Sequence, residues 1–576
     1  MKSSSSRSWS VGILATFLVL PAIASAADFV LTAPHWGKKQ EAAVAAAGGS
    51  VNWSHAKAGI ASVSSDNADF LAAVDAAKVF TGAAEDMMVQ WQDPAPIEVG
   101  HINPNDEFFF ANGYQWNMEA IEAPAAWAAD CTGAGVRIAI IDGGIDPTHP
   151  DLAPNMDTSC SASFVPGLPF NSDTGTFWHG MHVAGIAAAA NSGWGVMGVA
   201  PEATLIAVKA LHDGSGSFSW IIGAILYSAD PGAFGAGDCA KADIINMSLG
   251  AIFNKNLRGG GPLVAAMNKA VNFAGSKGTL VISAAGNDGI DLGQAGNLIS
   301  VPAESGSGIA VTATGPEDVF GLFTGTPGDP RKIASYTNYG EGATYVAAPG
   351  GDFGISAGLI VNNPGSIAGF KRAAYAVFGP LPNGDTADVA LWNDPEDATG
   401  DPNDACEGGV DANVAGKFAL IHRGACSFTD KVAAAQASGA VGVVISTNNA
   451  GPPPIMGGDD PSITIPSVSI LQSDGAAIEA ALQGDTVNVS MLYNGNARFD
   501  QVLSSCWSGW CFAAGTSMAS PAAAGVAALI KGANPGISLG ALKTRLAQTA
   551  DDEGKVGHDQ FYGHGFVNAA RACGVK

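Results

Sequence analysis

Basic residues are scarce in this 576-residue chain: 27 Lys and Arg stand against 52 Asp and Glu, a formal charge of −25. The clustered positive surface that phosphate contacts require is therefore missing, and a nucleic-acid binder of that kind is excluded. Charged residues of either sign reach only 14%, against 47% hydrophobic, so the chain can bury a large core. Its length is more than one core serves, and two or three domains are expected. No cysteine pair has C-x-x-C spacing, which argues against a zinc ribbon or thioredoxin site. The 75 Gly and 31 Pro follow no short period, so collagen and low-complexity readings fail. Beyond the amino terminus no stretch of about 20 residues is free of charges, Gly and Pro, and no bilayer-spanning helix is expected.

What is there begins with Lys2 and Arg7, an apolar run from about Val11 to Ile23, and the small residues Ala24-Ser25-Ala26. This reads as a secretory signal cleaved after Ala26; the run is too short for an uncleaved membrane anchor. The expected location is extracellular, with the periplasm second, and a soluble mature chain. Eight cysteines, at 131, 160, 239, 406, 426, 506, 511 and 573, are an even number in an oxidising compartment, so disulfides are expected, with connectivity open. Cys506 and Cys511 are near enough in sequence to bridge.

From Phe29 to about Trp91 the pattern gives a strand at 29–32, a helix through 41–46 stopped by Gly48-Gly49, strands near 50–53 and 60–63, a helix at 67–77 and a last strand at 86–91. A Pro-containing link, 94–112, follows. From Tyr114 onward, short β-branched runs at 136–141, 205–208, 244–247 and 280–282 alternate with Ala-rich helices, the order of a parallel sheet covered on both faces. Function in such sheets lies beyond the carboxyl ends of the strands, where Asp142, Ser248 and Asn287 stand.

Three constellations carry chemistry. Ile140-Ile141-Asp142-Gly143-Gly144-Ile145-Asp146 ends a buried strand on a carboxylate, His179-Gly180-Met181-His182-Val183-Ala184-Gly185 opens an apolar helix, and Gly515-Thr516-Ser517-Met518-Ala519-Ser520-Pro521 places a serine at a helix start. A hydroxyl needs a base to take its proton, and a histidine needs a carboxylate to fix its tautomer. Taken singly, each has an ordinary structural explanation: an N-cap, a packed histidine, a helix cap. His182, one turn after His179, raises a metal-site alternative, but no Glu lies between them and no third ligand is near in sequence. Asp146, His149, His558 and His564 read as turn, structural or exposed residues.

With their flanks, these segments resemble the subtilisin-like serine peptidases, the subtilases, over about Tyr114 to the end with one interruption. The resemblance implies Ser517 as nucleophile, His179 as general base and then acid, Asp142 as orienting carboxylate, and Asn287, in Ser283-Ala284-Ala285-Gly286-Asn287, as oxyanion donor with the Ser517 backbone N–H. It also implies that Ser248-Leu249-Gly250 aligns polypeptide substrates by backbone hydrogen bonds. Two departures stand out: Gly143 where the family usually has Ser or Thr, and Met181 where it has Thr. Asp288 could favour a basic residue in the primary pocket, or be a solvated loop acid. The resemblance further implies a structural calcium at Asp151, nine residues after Asp142, with other ligands from the loop 190–196, where Ser192 stands in place of a common Asn.

The interruption, about 140 residues between Ala348-Pro349-Gly350 and the Ser517 segment, contains a strand, turn and helix around Gly416–Val432 and a strand at 441–445. It resembles the protease-associated domain. His422 and Arg423 read as strand-end turn residues, and Cys406 and Cys426, both inside this module, are expected to pair. Contributing none of the four catalytic parts, the module is expected to modulate access rather than chemistry. By position and element order the amino-terminal unit resembles the family's propeptide, an intramolecular inhibitor; an independent accessory domain is the alternative. The expected fold class is α/β: a parallel-sheet catalytic domain, an inserted β-rich module and a small α+β propeptide. The expected division is a signal at 1–26, propeptide and linker at 27–112, catalytic parts at 113–351 and 497–576, and the insertion at 352–496. The expected activity is secreted endopeptidase action through an acyl-enzyme, with no cofactor for the chemistry; a non-catalytic secreted binding protein on the same fold is the alternative.

Overall fold

The computed structural model describes residues 26–91, 110, 114–172, 177–256, 259–316, 329–352, 357–394, 400–406, 409–448, 453–454, 456–458, 460–493, 501–507 and 509–575. The expected signal up to Ser25 and most of the link at 94–112 lie outside them. Among the described residues no helix is long and apolar enough to cross a membrane.

The amino-terminal unit packs helices Lys38–Ala46 and Phe70–Ala77 on an antiparallel sheet ordered Gly49–His55, Ile60–Ser65, Ala27–Thr32, Gly82–Glu85. Its small core joins Phe29 to Phe70, ring centroids 4.6 Å apart, over Leu31, Val44 and Val74. One expectation is corrected. The sheet's last strand is Gly82–Glu85, not 86–91; after Asp86 the chain leaves the sheet, and Met88–Gln90 pairs antiparallel with Ser215–Ser217 instead. Asp86 makes this turn possible by accepting the Ser219 backbone N–H (3.1 Å) at the start of the helix Phe218–Ala229, where exposed amide donors favour a carboxylate.

The central sheet runs Lys332–Ile333, Ile309–Gly315, Leu280–Ala284, Ile244–Met247, Arg137–Asp142, Thr204–Lys209, Ala162–Ser163, with Val346–Pro349 also on Ile309–Gly315. The pairings are parallel except at Lys332–Ile333. Alternation divides each strand between two cores: Ile138 and Ile140 face helices Phe177–Ala188 and Thr516–Ala533, while Ala139 and Ile141 face Phe218–Ala229 and Gly260–Ser276. This is the expected α/β class.

The insertion forms a closed barrel of strands Ala357–Asn363, Gly369–Tyr375, Asn383–Leu391, Phe418–His422, Gly442–Ser446, Ser467–Ile470 and Asn488–Tyr493, with helices Phe428–Ala437 and Gln472–Ala481. Its two ends meet: Ala357, which opens the first of these strands, is paired with Tyr493, which closes the last. The disulfides are Cys131–Cys573, Cys160–Cys239, Cys406–Cys426 and Cys506–Cys511, so both pairs expected from sequence form.

Candidate active site

Asp142 ends its strand at 1% exposure, with Oδ1 accepting the Gly143 N–H (2.7 Å). The His179 Nδ1 lies 2.9 Å from Asp142 Oδ2 and 3.1 Å from Oδ1. An ionised carboxylate can only accept, so the proton sits on Nδ1 and leaves Nε2 as the basic nitrogen. The helix reaches the strand end because residue 180 is Gly: a Cβ there would stand 2.2 Å from Gly144 O. At the two departures from the family pattern, the Gly143 backbone N–H serves Asp142, and the Met181 sulfur accepts the Asp146 N–H at 3.0 Å. Lys209, fully buried and invisible to motif reading at the end of an apolar strand, pins this turn by donating to the Gly143 and Leu211 carbonyls.

His182 is not a ligand. Its Nε2 lies 3.0 Å from both the Val502 and Cys511 carbonyls, and burial pushes its pKa down to about 3, so it is a neutral tie between helix and hairpin. Among the described residues no group of three or more His, Cys, Asp or Glu is arranged to hold a metal.

Ser517 is the second residue of the helix Thr516–Ala533 and is half-buried among buried neighbours. Its Oγ donates to Ser248 O at 3.3 Å, and Ser248 Oγ donates to Ser517 O at 2.7 Å. Asn246 continues the tie, donating to Ser248 Oγ and accepting from Ser520 Oγ. Helices Phe177–Ala188 and Thr516–Ala533 pack together where Gly525, eight residues after Ser517, meets the carbonyl of Ala187, eight after His179. The Asn287 Oδ1 accepts both the Thr516 N–H (2.9 Å) and the Thr516 hydroxyl (2.8 Å). That consumes the carbonyl end of the amide and turns Nδ2 outward. A methyl group built on Gly515 would lie 3.5 Å from Asn287 Nδ2 and 3.6 Å from Ser517 N, so both donors border one space. Thr516, like Lys209, is a residue of this geometry that motif reading missed.

The Ser248-Leu249-Gly250 segment carries a chain segment already. Gly250 N donates to Trp91 O (3.0 Å), Trp91 N to Gly214 O (2.9 Å), and the indole N–H to Gly216 O (2.8 Å). Trp91 is 2% exposed, against Phe218 and Phe253. Asp288 is exposed and exchanges hydrogen bonds with Asn338, giving its N–H and receiving the amide on Oδ2, both at 3.0 Å.

The carboxylate at which a calcium is expected, Asp151, has N–H donors on one of its two oxygens. Asp151 is fully buried; its Oδ2 accepts the Trp510 indole N–H (2.6 Å) and the Val196 N–H (3.1 Å). A methyl group on Gly195 would stand 2.3 Å from Oδ1, and the Ser192 hydroxyl donates to the Trp194 carbonyl. Calcium needs about six to eight oxygens facing it; here the N–H donors occupy Oδ2, while the buried Oδ1 has no hydrogen-bond partner among the described residues. Burial pushes the carboxyl above its ordinary range, opposed first by the Trp510 bond.

Comparison with known proteins decides the family. The subtilase family model matches residues 133–410, and the chain is 38% identical to subtilisin Savinase of Lederbergia lenta over 238 residues, 41% of this chain and 72% of that one. The chain belongs to the subtilase family. A PA domain model matches this subtilase at 377–478, within the barrel. It is also 36% identical to the minor extracellular protease Epr of Bacillus subtilis and to the alkaline protease of Alkalihalobacillus alcalophilus. The matches take in 39% and 46% of this chain but only 31% and 57% of those proteins' lengths. The solved epidermin leader peptide processing serine protease of Staphylococcus aureus shares the fold at TM-score 0.56 and 17% identity, over 96% of this subtilase and 98% of that chain.

Proposed function

We propose that this subtilase is a secreted serine endopeptidase that cuts internal peptide bonds of polypeptides. The observation that carries the reading is the pairing of an Asp142-oriented imidazole with an Asn287 amide whose oxygen is already spent on Thr516. Ser517 Oγ attacks the scissile carbonyl carbon while its proton passes to His179 Nε2. Asp142 stays ionised and stabilises the imidazolium. The developing oxyanion takes hydrogen bonds from Asn287 Nδ2 and Ser517 N, donors fixed before the reaction begins. Collapse expels the amine, which collects the proton from His179, and water then repeats the sequence on the acyl-enzyme. Substrate lies as an added strand along Gly214–Ser217 and Gly250, the hydrogen bonds that Trp91 now makes.

That same occupancy supports the amino-terminal unit as an intramolecular inhibitor, released by cleavage in the link after Trp91. The names of the relatives, an extracellular protease among them, support secretion. The test is to incubate the mature protein with a denatured protein mixture and sequence the products. Internal cuts by the parent and none by Ser517→Ala are expected. Equal cutting by both refutes the assignment.

A further inference from the structure

Between the central sheet and the barrel the chain passes through Gly350-Gly351-Asp352. The two glycines have no side chains to anchor them, so hydrogen bonds set their position. Gly350 N and Gly351 N both donate to Thr314 O (2.8 and 3.0 Å), and the buried Tyr336 hydroxyl donates to the carbonyls of Gly350 (3.2 Å) and Gly351 (2.7 Å). The Gly350 carbonyl also accepts the Gly515 N–H at 2.9 Å. A Cβ on Gly350 would stand 2.7 Å from Gly515 O, so the two strands have no slack. Gly515 leads directly into Thr516, whose N–H and hydroxyl hold Asn287, and into Ser517. On the other side lies Asp352, 4% exposed. Its carboxylate accepts the Ser335 hydroxyl (2.8 Å) and N–H (3.2 Å) from the catalytic part, and Arg372 Nη2 from the barrel strand Gly369–Tyr375.

We propose that Arg372 of the inserted module is a positioning residue for the Ser517 segment. A buried carboxylate deprived of the Arg372 cation is less well compensated, and it moves toward water or another donor. Asp352 is two residues from Gly350, so that movement shifts the acceptor of the Gly515 amide and, through Thr516, the angle of the Asn287 donor. The module then acts on the chemistry as well as on access, contrary to what its separation from the catalytic motifs leads one to expect. The inference rests on the endopeptidase reading.

The test uses the full-length, naturally matured enzyme and a small chromogenic peptide that the barrel cannot contact at length, with rates normalised to reactive serine by titration. Arg372→Met is expected to lower kcat about 10- to 100-fold, the scale of a displacement near 1 Å at a reacting group, with KM within about twofold. Arg372→Lys, which restores charge without the planar fork, recovers part of the loss. Lys371→Met, which breaks an ion pair with Asp474 inside the barrel, leaves both constants unchanged. Should Arg372→Met show no cooperative melt, Arg372→Gln carries the same expectation. Parental kcat in a folded Arg372 variant, or an equal loss in Lys371→Met, overturns the inference while the endopeptidase reading stands. A parent that neither cleaves peptide nor reacts with the serine reagent overturns both.

Discussion

Replacing Trp510 with Phe separates a hydrogen-bonded Asp151 from a metal-bound one. The indole N–H donates to a fully buried carboxylate at 2.6 Å, and its loss removes one of the two N–H donors on Oδ2, the other being that of Val196. A charge-assisted bond of this kind is worth about 2 kcal/mol. The smaller ring also leaves space between Trp194 and His149, whose centroids lie 5.6 and 5.8 Å from that of Trp510, for about 1 kcal/mol more. At about 2 °C per kcal/mol for a large domain, the variant melts about 6 °C lower. The cost depends on pH in a determined direction. Burial holds the folded Asp151 carboxyl above its ordinary value, so its protonated form is favoured by folding, and this contribution fades as pH rises through the folded value. The Trp510 bond supports the ionised form, so the difference between variant and parent is larger near about pH 7 than near about pH 4. Calorimetry on reagent-inhibited protein, with and without chelator, reads both effects. A chelator-induced fall in the parent's melting temperature, or a Trp510→Phe melt within about 1 °C of the parent, refutes the reasoning.

Three further outcomes are expected. Asn287→Ala lowers kcat about 10²- to 10³-fold with KM little changed, the loss known for the same donor in subtilisin, a member of this family; steady-state kinetics on a short peptide check it. Thr516→Val leaves the Asn287 oxygen only the Thr516 backbone N–H and lowers kcat about tenfold through the loss of the two hydroxyl hydrogen bonds, to Asn287 and from Gly286, again with KM nearly constant; parental kcat would show that the amide is fixed by other means. Trp91→Ala empties the pocket between Phe218 and Phe253, so residues 27–91 added in trans inhibit the mature enzyme at least about tenfold more weakly than the parental segment; equal inhibition constants contradict the added-strand reading.

The sequence exposed what depends on local pattern. Alternating apolar runs such as Ile138–Ile141 marked the parallel sheet, and the flanks of Asp142, His179, Asn287 and Ser517 marked the strand ends and helix starts that bear the site. Hidden features depend on side chains meeting across long separations. Thr516 looked like motif filler until its hydroxyl reached Asn287, 229 residues away. Lys209 and Arg372 drew no reading at all, because their partners are set by the fold. The bond between Asp151 and Trp510 joins residues 359 positions apart, which no local pattern shows. The departure of the chain at Asp86 was equally hidden, because 86–91 has strand-like alternation whichever sheet it joins. Periodicity reports that a segment is extended and half-buried, not which edge it pairs with.

The measurement that bears most directly on the central claim is titration of the mature protein with an active-site serine reagent, followed by peptide mapping. Incorporation approaching one equivalent per chain, confined to Ser517 and abolished in His179→Ala, is the predicted result, because only a hydroxyl served by an oriented imidazole is nucleophilic enough to react. No incorporation, labelling at another serine, or undiminished labelling of His179→Ala would contradict the account.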